Sequence, residues 1–525
     1  MRRLFPFAML LAASLCAHAA GAAARKPPNV VVILADDLGY GDLAADGQGK
    51  IPTPAMDRLA SQGVRMTSAY SAASTCTPSR YALMTGEYPW RLQGTGILPG
   101  NASLIISPSR VTLPRVFKEA GYATAAIGKW HLGLGAGTPD FNERIVPGIN
   151  EVGFDYSFNM PATADRMPTV YMENGRVVNL SPGDPITVSY THKVGDWPTG
   201  ADHPELMRMK SNEGHLGTIV NGIARIGWMT GGKAALWTDQ TMSDTYMKHA
   251  LDFIREHKDR PFFLYYAATE PHVPRDPNPR FAGKSGVGAR GDAVVQFDSE
   301  VAALMDELKR DGLDGNTLVI LSSDNGPAVA DGYADGALPT ETKMGHHANG
   351  IYRAGKYSDY EGGIRMPFIA RWPGHIKPGT VIDQPVSLTD MVATAAALTD
   401  RKLGPADAPD SFDILPTLTR GAPSQPFLLF GNPDRKYGEQ ASAIREGDWK
   451  LIVHVSHDEH RNPANGTPDP QGQPQLFDLS TDPREDHDVA GQHPGVVAHL
   501  TQELDAASKA GFTRPGAEAV PRMQN

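Results

Sequence analysis

Four short apolar runs, each giving way to polar residues at its end, govern what this chain can fold into. Asn29 to Ala35 (NVVVILA) leads into Asp36-Asp37, and Tyr122 to Ile127, Phe262 to Ala267 and Thr317 to Ser322 (TLVILS) repeat the theme. A run without polar alternation suits a strand buried on both faces, with polar groups emerging at its carboxyl end. Between the runs lie patterns of helical period. Met242, Tyr246, Ala250 and Phe253 fall on one face of a segment from Met242 to Ile254; Val294, Phe297, Val301, Leu304 and Leu308 do so further on. Strands alternating with helices predict an α/β sandwich around a large, mostly parallel sheet. In such sheets functional groups gather beyond the carboxyl ends of the strands.

Two regions depart from this rhythm. Residues 136–235 are rich in Gly, Pro and polar side chains with little periodicity, and read as long loops, the usual place for substrate contacts. Beyond Gly421 come short strand patterns at Pro426 to Phe430, Ala443 to Arg445, Trp449 to Val453 and Gln475 to Leu479, then an amphipathic helix near Val496 to Ala507. The expected organisation is a targeting segment over residues 1–24, a large α/β unit over 25–420, and a small α+β unit over 421–525 with a short antiparallel sheet and a terminal helix.

The first residues explain the targeting segment. Arg2 and Arg3 precede an apolar stretch from Leu4 to Cys16, and Ala17-His18-Ala19 offers small residues for cleavage. That stretch is short for a span, and no later one reaches about 18 consecutive apolar residues, so no retained membrane span is expected. Leu15 is bulkier than the residue usually found before a lipidated cysteine, so the expectation is export, periplasmic or secreted, without a lipid anchor. The net charge of −10 argues against a nucleic-acid partner, which usually demands a basic footprint. The chain has two cysteines, and one of them, Cys16, leaves with the targeting segment. An exported protein normally pairs its cysteines; Cys76 has no partner.

Cys76 stands in Cys76-Thr77-Pro78-Ser79-Arg80, followed by Tyr81-Ala82-Leu83-Met84-Thr85-Gly86. Pro78 suits a first helical turn, which puts Cys76 at or just before a helix N-terminus, where free N–H groups favour negative charge. Arg80, one turn on, can point back at position 76. Asp36-Asp37 and Asp324-Asn325 each follow an apolar run and offer oxygen donors of the kind hard divalent cations prefer. Lys129 and His131 follow another run, and alternation in extended backbone would put both on one side. Without context, any of these reads as a turn or surface residue.

Taken together, the motifs resemble the formylglycine-dependent sulfatases of the alkaline phosphatase superfamily. The likeness rests on Cys-x-Pro-Ser-Arg with Leu-Met-Thr-Gly, on Gly128-Lys129-Trp130-His131-Leu132-Gly133, on Glu270-Pro271-His272-Val273-Pro274, and on Glu361-Gly362-Gly363-Ile364-Arg365-Met366-Pro367, in the family's order. It resumes weakly at Gly447-Asp448-Trp449-Lys450-Leu451 and Leu476-Phe477-Asp478-Leu479. The resemblance implies an alkaline phosphatase-like fold. It implies oxidation of Cys76 to formylglycine by a maturation enzyme, and a divalent cation, Ca2+ or Mg2+, held by Asp36, Asp37, Asp324, Asn325 and the modified Cys76. It also implies that Lys129, His272 and Lys356 bind sulfate, that Arg80 orients the aldehyde hydrate, and that His131 removes a proton from it; the acid for the leaving alcohol is His272 or Lys356. Lys356, rather than Lys343, stands at the family's distance before Glu361. Arg365 reads as structural, and His346 and His347 as possible substrate contacts. The implied substrate is a small-molecule or glycan sulfate ester. Two other readings stay open: a phosphonate or phosphate monoester hydrolase of the same superfamily, and a non-catalytic, calcium-stabilised glycan-binding protein.

Overall fold

A computed structural model describes residues 26–47, 49–432, 440–453 and 473–521; the expected targeting segment lies outside the described residues. Its centre is a ten-stranded sheet in the order Thr380–Ile382, Val64–Met66, Phe368–Arg371, Thr317–Ser323, Asn29–Ala35, Phe262–Ala267, Ala123–Lys129, Tyr156–Met160, Met172–Glu173, Arg176–Val177. The five strands from Thr317–Ser323 to Tyr156–Met160 are parallel, and antiparallel pairing begins on either side of them.

The apolar runs are strands because both faces are covered. Val30, Val32 and Leu34 pack on one face with Phe263, Tyr265, Leu318 and Ile320. Val31, Ile33 and Ala35 pack on the other with Leu264, Tyr266, Val319 and Leu321. The helices Met242–Glu256 and Gly288–Arg310 cover the second face through Tyr246, Ala250, Phe253, Val294, Phe297, Val301 and Leu304, the side chains whose helical spacing predicts them. The first face is covered by the helices Leu113–Glu119 and Met391–Leu398, with Val116, Phe117, Val392 and Ala395.

Residues 136–235 are less loop-like than the sequence predicts. Tyr156–Met160 is a strand of the central sheet, paired in parallel with Ala123–Lys129. Its polar residues hide it from a hydrophobic reading, yet they are satisfied indoors: Asn159 Nδ2 donates to the Gly128 carbonyl at 3.0 Å and Ser157 Oγ to Asn150 Oδ1 at 2.9 Å. Most of the remainder is turns and two- or three-residue strands.

Towards the C-terminus, Leu428–Phe430, Ala443–Glu446, Trp449–Ile452 and Gln475–Asp478 form a four-stranded antiparallel sheet. The helix Pro494–Ala510 covers one face with Leu500, Leu504 and Ala507. The other face, with Leu428, Phe430, Ile452 and Phe477, packs on Tyr70, Tyr360 and Ile364 of the large sheet's side. Among the described residues no helix is long and apolar enough to cross a membrane.

Gly128 shows how tightly the strand ends are set. Its φ is 105°, and a Cβ there would lie 1.9 Å from the Ala267 carbonyl oxygen on the neighbouring strand. Backbone cannot yield as a flexible side chain does. Gly128→Ala should therefore destabilise the protein by about 2–4 kcal/mol through backbone strain and overpacking. The check is the thermal midpoint at a fixed scan rate; a variant melting with the wild type would show the approach to be slack.

Candidate active site

The site is built from the carboxyl ends of four consecutive parallel strands. Ala35 pairs with Ser323, Leu34 with Ala267, and Ala267 with Gly128. The residues that follow therefore emerge side by side: Asp324-Asn325, Asp36-Asp37, Thr269 to His272, and Lys129 to His131. Asp37 has a φ of 63°, and its N–H donates to Asp324 Oδ1 at 3.2 Å.

Into this row points the helix Cys76–Thr85, all ten residues of which are buried. It begins at Cys76, and Thr75 before it makes no side-chain cap, so the first N–H groups face the site without one. Cys76 Sγ lies 3.7 Å from Asp36 Oδ1. Burial pushes this thiol up to about 12, with Lys129 and Lys356 opposing the shift. A thiol held there is not a thiolate at neutral pH, so Cys76 as it stands is a poor nucleophile. Arg80, one turn along this helix, is held by the ends of the neighbouring strands. Its Nε donates to Asp324 Oδ2 at 2.9 Å, and another of its nitrogens to the Lys129 carbonyl at 3.3 Å and the Tyr265 hydroxyl at 3.2 Å. It ties the helix to three strands at once.

Two lysines face the two aspartates. Lys129 Nζ grips both Asp36 oxygens at 2.8 and 2.7 Å, and Lys356 Nζ donates to Asp37 Oδ2 at 2.9 Å. Burial pushes the Asp36 carboxyl up, but His272, Lys129, Arg80 and Lys356 outweigh it and hold the group well below the usual carboxylate range. Burial pulls Lys356 down, and Asp37 more than reverses this. Asp324 shifts upward, because burial there exceeds the pull of Arg80.

The histidines have defined protons. His131 Nε2 lies 3.0 Å from the Leu98 carbonyl, which can only accept, so Nε2 carries the hydrogen. Nδ1 is then a lone pair, buried and without a partner among the described residues. Burial, then Lys129, keep this imidazole well below its ordinary range and hence neutral. Strand alternation does not set its direction as the sequence suggests: the strand ends at Lys129, and His131 takes a φ of 59°. His272 gives its Nδ1 hydrogen to the Val273 carbonyl at 2.6 Å and turns Nε2 inward, 3.8 Å from Asp37 Oδ2.

The donors suit a hard cation. One ligand atom each of Asp36, Asp37, Cys76 and His272 lies within 4.8 Å of the others, all buried. Asn325 adds a buried Oδ1 with no hydrogen-bond partner among the described residues, its Nδ2 being spent on Asp37 Oδ1 at 2.7 Å and on the Gly326 carbonyl. A buried oxygen without a donor, set beside carboxylates, fits the oxygen-rich ligand set of a hard cation.

Other expectations fall outside the cluster. His346 is not a surface contact: it is buried, with Nε2 2.9 Å from Asp42 Oδ1, in a group with Arg290 and Glu341. That group reaches the site indirectly, since Arg290 donates to the Asp37 carbonyl at 3.3 Å. His347 and Lys343 are exposed. Arg365 is structural, bonded to the Thr67 carbonyl, Glu361 and Ser68.

Sequence reading also misses neighbours of the site. Asp331 Oδ2 accepts from the Tyr357 hydroxyl at 3.1 Å and lies 3.7 Å from Lys356 Nζ; burial raises its carboxyl, but Lys356 and His272 bring it below the usual range. Asp165 accepts from Arg166 at 2.9 Å and meets His215 Nε2 at 3.1 Å, and His272 helps to hold its carboxyl well below the usual range against burial. These residues come from the aperiodic segment and from a loop, where no local pattern marks them.

The sequence pattern of the Sulfatase family matches residues 28–401. The N-acetylgalactosamine-6-O-sulfatase of Bacteroides thetaiotaomicron is 48% identical, over 92% of this chain and 93% of its own. Human arylsulfatase A is 34% identical, over 97% and 94%. A solved structure from work on the metabolism of multiple glycosaminoglycans by Bacteroides thetaiotaomicron superposes with a TM-score of 0.86 at 48% identity, covering 92% of this chain and all (100%) of that one. The chain belongs to the sulfatase family, among the formylglycine-dependent enzymes of the alkaline phosphatase superfamily, and is a hydrolase of sulfate esters.

Proposed function

We propose that this enzyme removes sulfate from carbohydrate, with 6-O-sulfated N-acetylgalactosamine as the first substrate to test, and that its nucleophile is formylglycine made from Cys76. The observation that carries the reading is the buried meeting of Cys76 Sγ with Asp36, Asp37 and His272 inside 4.8 Å, flanked by Lys129 and Lys356. The relative named for N-acetylgalactosamine 6-O-sulfate supports the sugar.

The residues divide the work by position. Lys129 and Lys356 each carry more N–H groups than the aspartates use, leaving donors for sulfate oxygens. His272 presents Nε2 to the same space and, when protonated, can give its proton to the departing alcohol; Lys356 is the other candidate for that step. His131, neutral with a free Nδ1 lone pair, is fit to accept a proton from a hydroxyl at position 76. Arg80, clamped to Asp324 and the Lys129 carbonyl one turn from position 76, would orient the hydrate there. Asp36, Asp37, Asp324 and Asn325 would hold a divalent cation, Ca2+ or Mg2+, which supplies Lewis-acid stabilisation of developing oxygen charge. The aldehyde hydrate at position 76 supplies an oxygen nucleophile where the thiol stays protonated. Export is part of the proposal, resting on the targeting pattern of residues 1–24, as is a partner enzyme that oxidises Cys76.

The test is a paired assay of sulfate and phosphate esters of one alcohol, then of defined sulfated mono- and disaccharides, on protein whose state at Cys76 is checked by mass. Release of sulfate from the simple ester but from none of the sulfated sugars overturns the proposed substrate. Cys76→Ala should lower turnover by at least about 10³-fold with an unchanged thermal midpoint; near-full activity removes Cys76 as the nucleophile. Asp324→Asn should weaken cation affinity by about 10–100-fold and slow the reaction. Metal content measured after dialysis at a series of free Ca2+ and Mg2+ concentrations checks it, and an unaltered binding curve excludes Asp324 as a ligand.

A further inference from the structure

Two motifs remain without a role in the chemistry: Glu361-Gly362-Gly363 and Gly447-Asp448-Trp449-Lys450-Leu451. They meet in space. Lys450, on the strand Trp449–Ile452 of the C-terminal sheet, places Nζ 3.0 Å from Glu361 Oε1 and 2.7 Å from Glu485 Oε1, and all three side chains are 0% exposed. Glu485 uses its second oxygen to accept the Glu361 N–H at 2.6 Å, and Glu361 uses its own to accept from the Tyr70 hydroxyl at 2.7 Å. Glu485 does this at a φ of 57°, a conformation that a non-glycine residue keeps only when its surroundings demand it.

Stability alone is a weak reason for such a cluster. A buried ion pair seldom stabilises more than apolar side chains of the same volume, whereas it does fix how segments register. What is registered here is the segment 353–361. Arg353 donates to the Glu485 carbonyl at 2.9 Å, Asp359 accepts from Ser442 Oγ at 2.5 Å, and the Tyr360 hydroxyl donates to Gln475 Oε1 at 2.5 Å. With Glu361, four residues of this segment are thus fastened to the C-terminal sheet or to the turn after it. Lys356 lies between the fastenings, its N–H on the Pro327 carbonyl at 3.0 Å and its Nζ on Asp37. The same sheet also reaches the other side of the site, where Asn432 accepts from Thr75 Oγ1 at 3.0 Å and donates to Ser74 Oγ at 2.7 Å, just before Cys76.

We infer that Lys450, with Glu361 and Glu485, forms a positioning cluster that holds Lys356 in place from the C-terminal sheet, so that this sheet is part of the sulfate-binding machinery. The inference rests on the sulfate-binding role proposed above for Lys356. Lys450 touches neither substrate nor reacting atoms; it acts through the backbone of 353–361.

The test is a double-mutant cycle on full-length protein with position 76 checked by mass: wild type, Lys450→Met, Lys356→Ala and the double variant. kcat and KM are measured on 4-nitrophenyl sulfate, at micromolar enzyme so that residual rates are readable. Lys450→Met should lower kcat/KM by about 10–100-fold in the wild type, the scale expected of a displaced catalytic group. In the Lys356→Ala background it should change little, less than about threefold, because the group it positions is gone. Equal losses in both backgrounds overturn the positioning role while leaving Lys356 in the site. Full activity of Lys356→Ala alone overturns both. Should Lys450→Met fail to fold, Glu485→Gln, nearly identical in shape, enters the same cycle and is judged by the same criterion.

Discussion

Everything in this molecule is arranged around carboxylates that have been taken out of water. Asp36, Asp37 and Asp324 are each at most 1% exposed, and an isolated buried carboxylate would protonate or unfold its surroundings. Lys129, Lys356 and Arg80 prevent this by lying 2.7–2.9 Å away. The three acids and three bases come close to cancelling. A divalent cation added to such a set leaves positive charge in excess, and an anionic ester is what that excess attracts. The balance serves folding by itself, and under the function proposed above it would serve substrate capture once a cation is bound.

Only a parallel sheet brings so many charges together without strain in the strands that carry them. Consecutive parallel strands end on the same edge, so Asp324, Asp36, His272 and Lys129 arrive within one row though they are far apart in sequence. The irregularity is confined to the residues just past the ends, where Asp37 and His131 adopt positive φ and Gly128 admits a neighbouring carbonyl. Lys356 is the exception. It comes from no strand end, and its loop is held from the far side by the C-terminal sheet.

This division explains what the sequence made legible. The central strands announce themselves because burial on both faces requires uninterrupted apolar residues, and the charged motifs follow them directly. Tyr156–Met160 is hidden because Ser157 and Asn159 satisfy their polar groups on neighbouring residues, which hydrophobicity does not register. His346 reads like a loop histidine and is a buried partner of Asp42, a pairing of residues about three hundred positions apart that no local pattern contains. Helical spacing alone points Arg80 at position 76, but it cannot announce Asp324, the Lys129 carbonyl and the Tyr265 hydroxyl, which other strands bring to the same guanidinium. Asp165, Arg166, His215 and Asp331 lie in segments without periodicity, so only three-dimensional proximity to His272 and Lys356 singles them out.

The two ends of the site accordingly differ in kind. The end bearing position 76, Asp36, Asp37 and Lys129 is made of strand termini and a buried helix, whose atoms are fixed by the packing of the whole sheet. The side bearing Asp165, Arg166 and His215 is made of turns held by their own hydrogen bonds, and such segments can change without disturbing the sheet. Position 76 stands apart in its chemistry. Its thiol, pushed up to about 12, fits the cavity without being reactive in it. An unmodified chain should therefore keep the placement of Lys129, Lys356 and His272 while lacking a nucleophile, so that under the proposed function binding and turnover are separable properties of one fold.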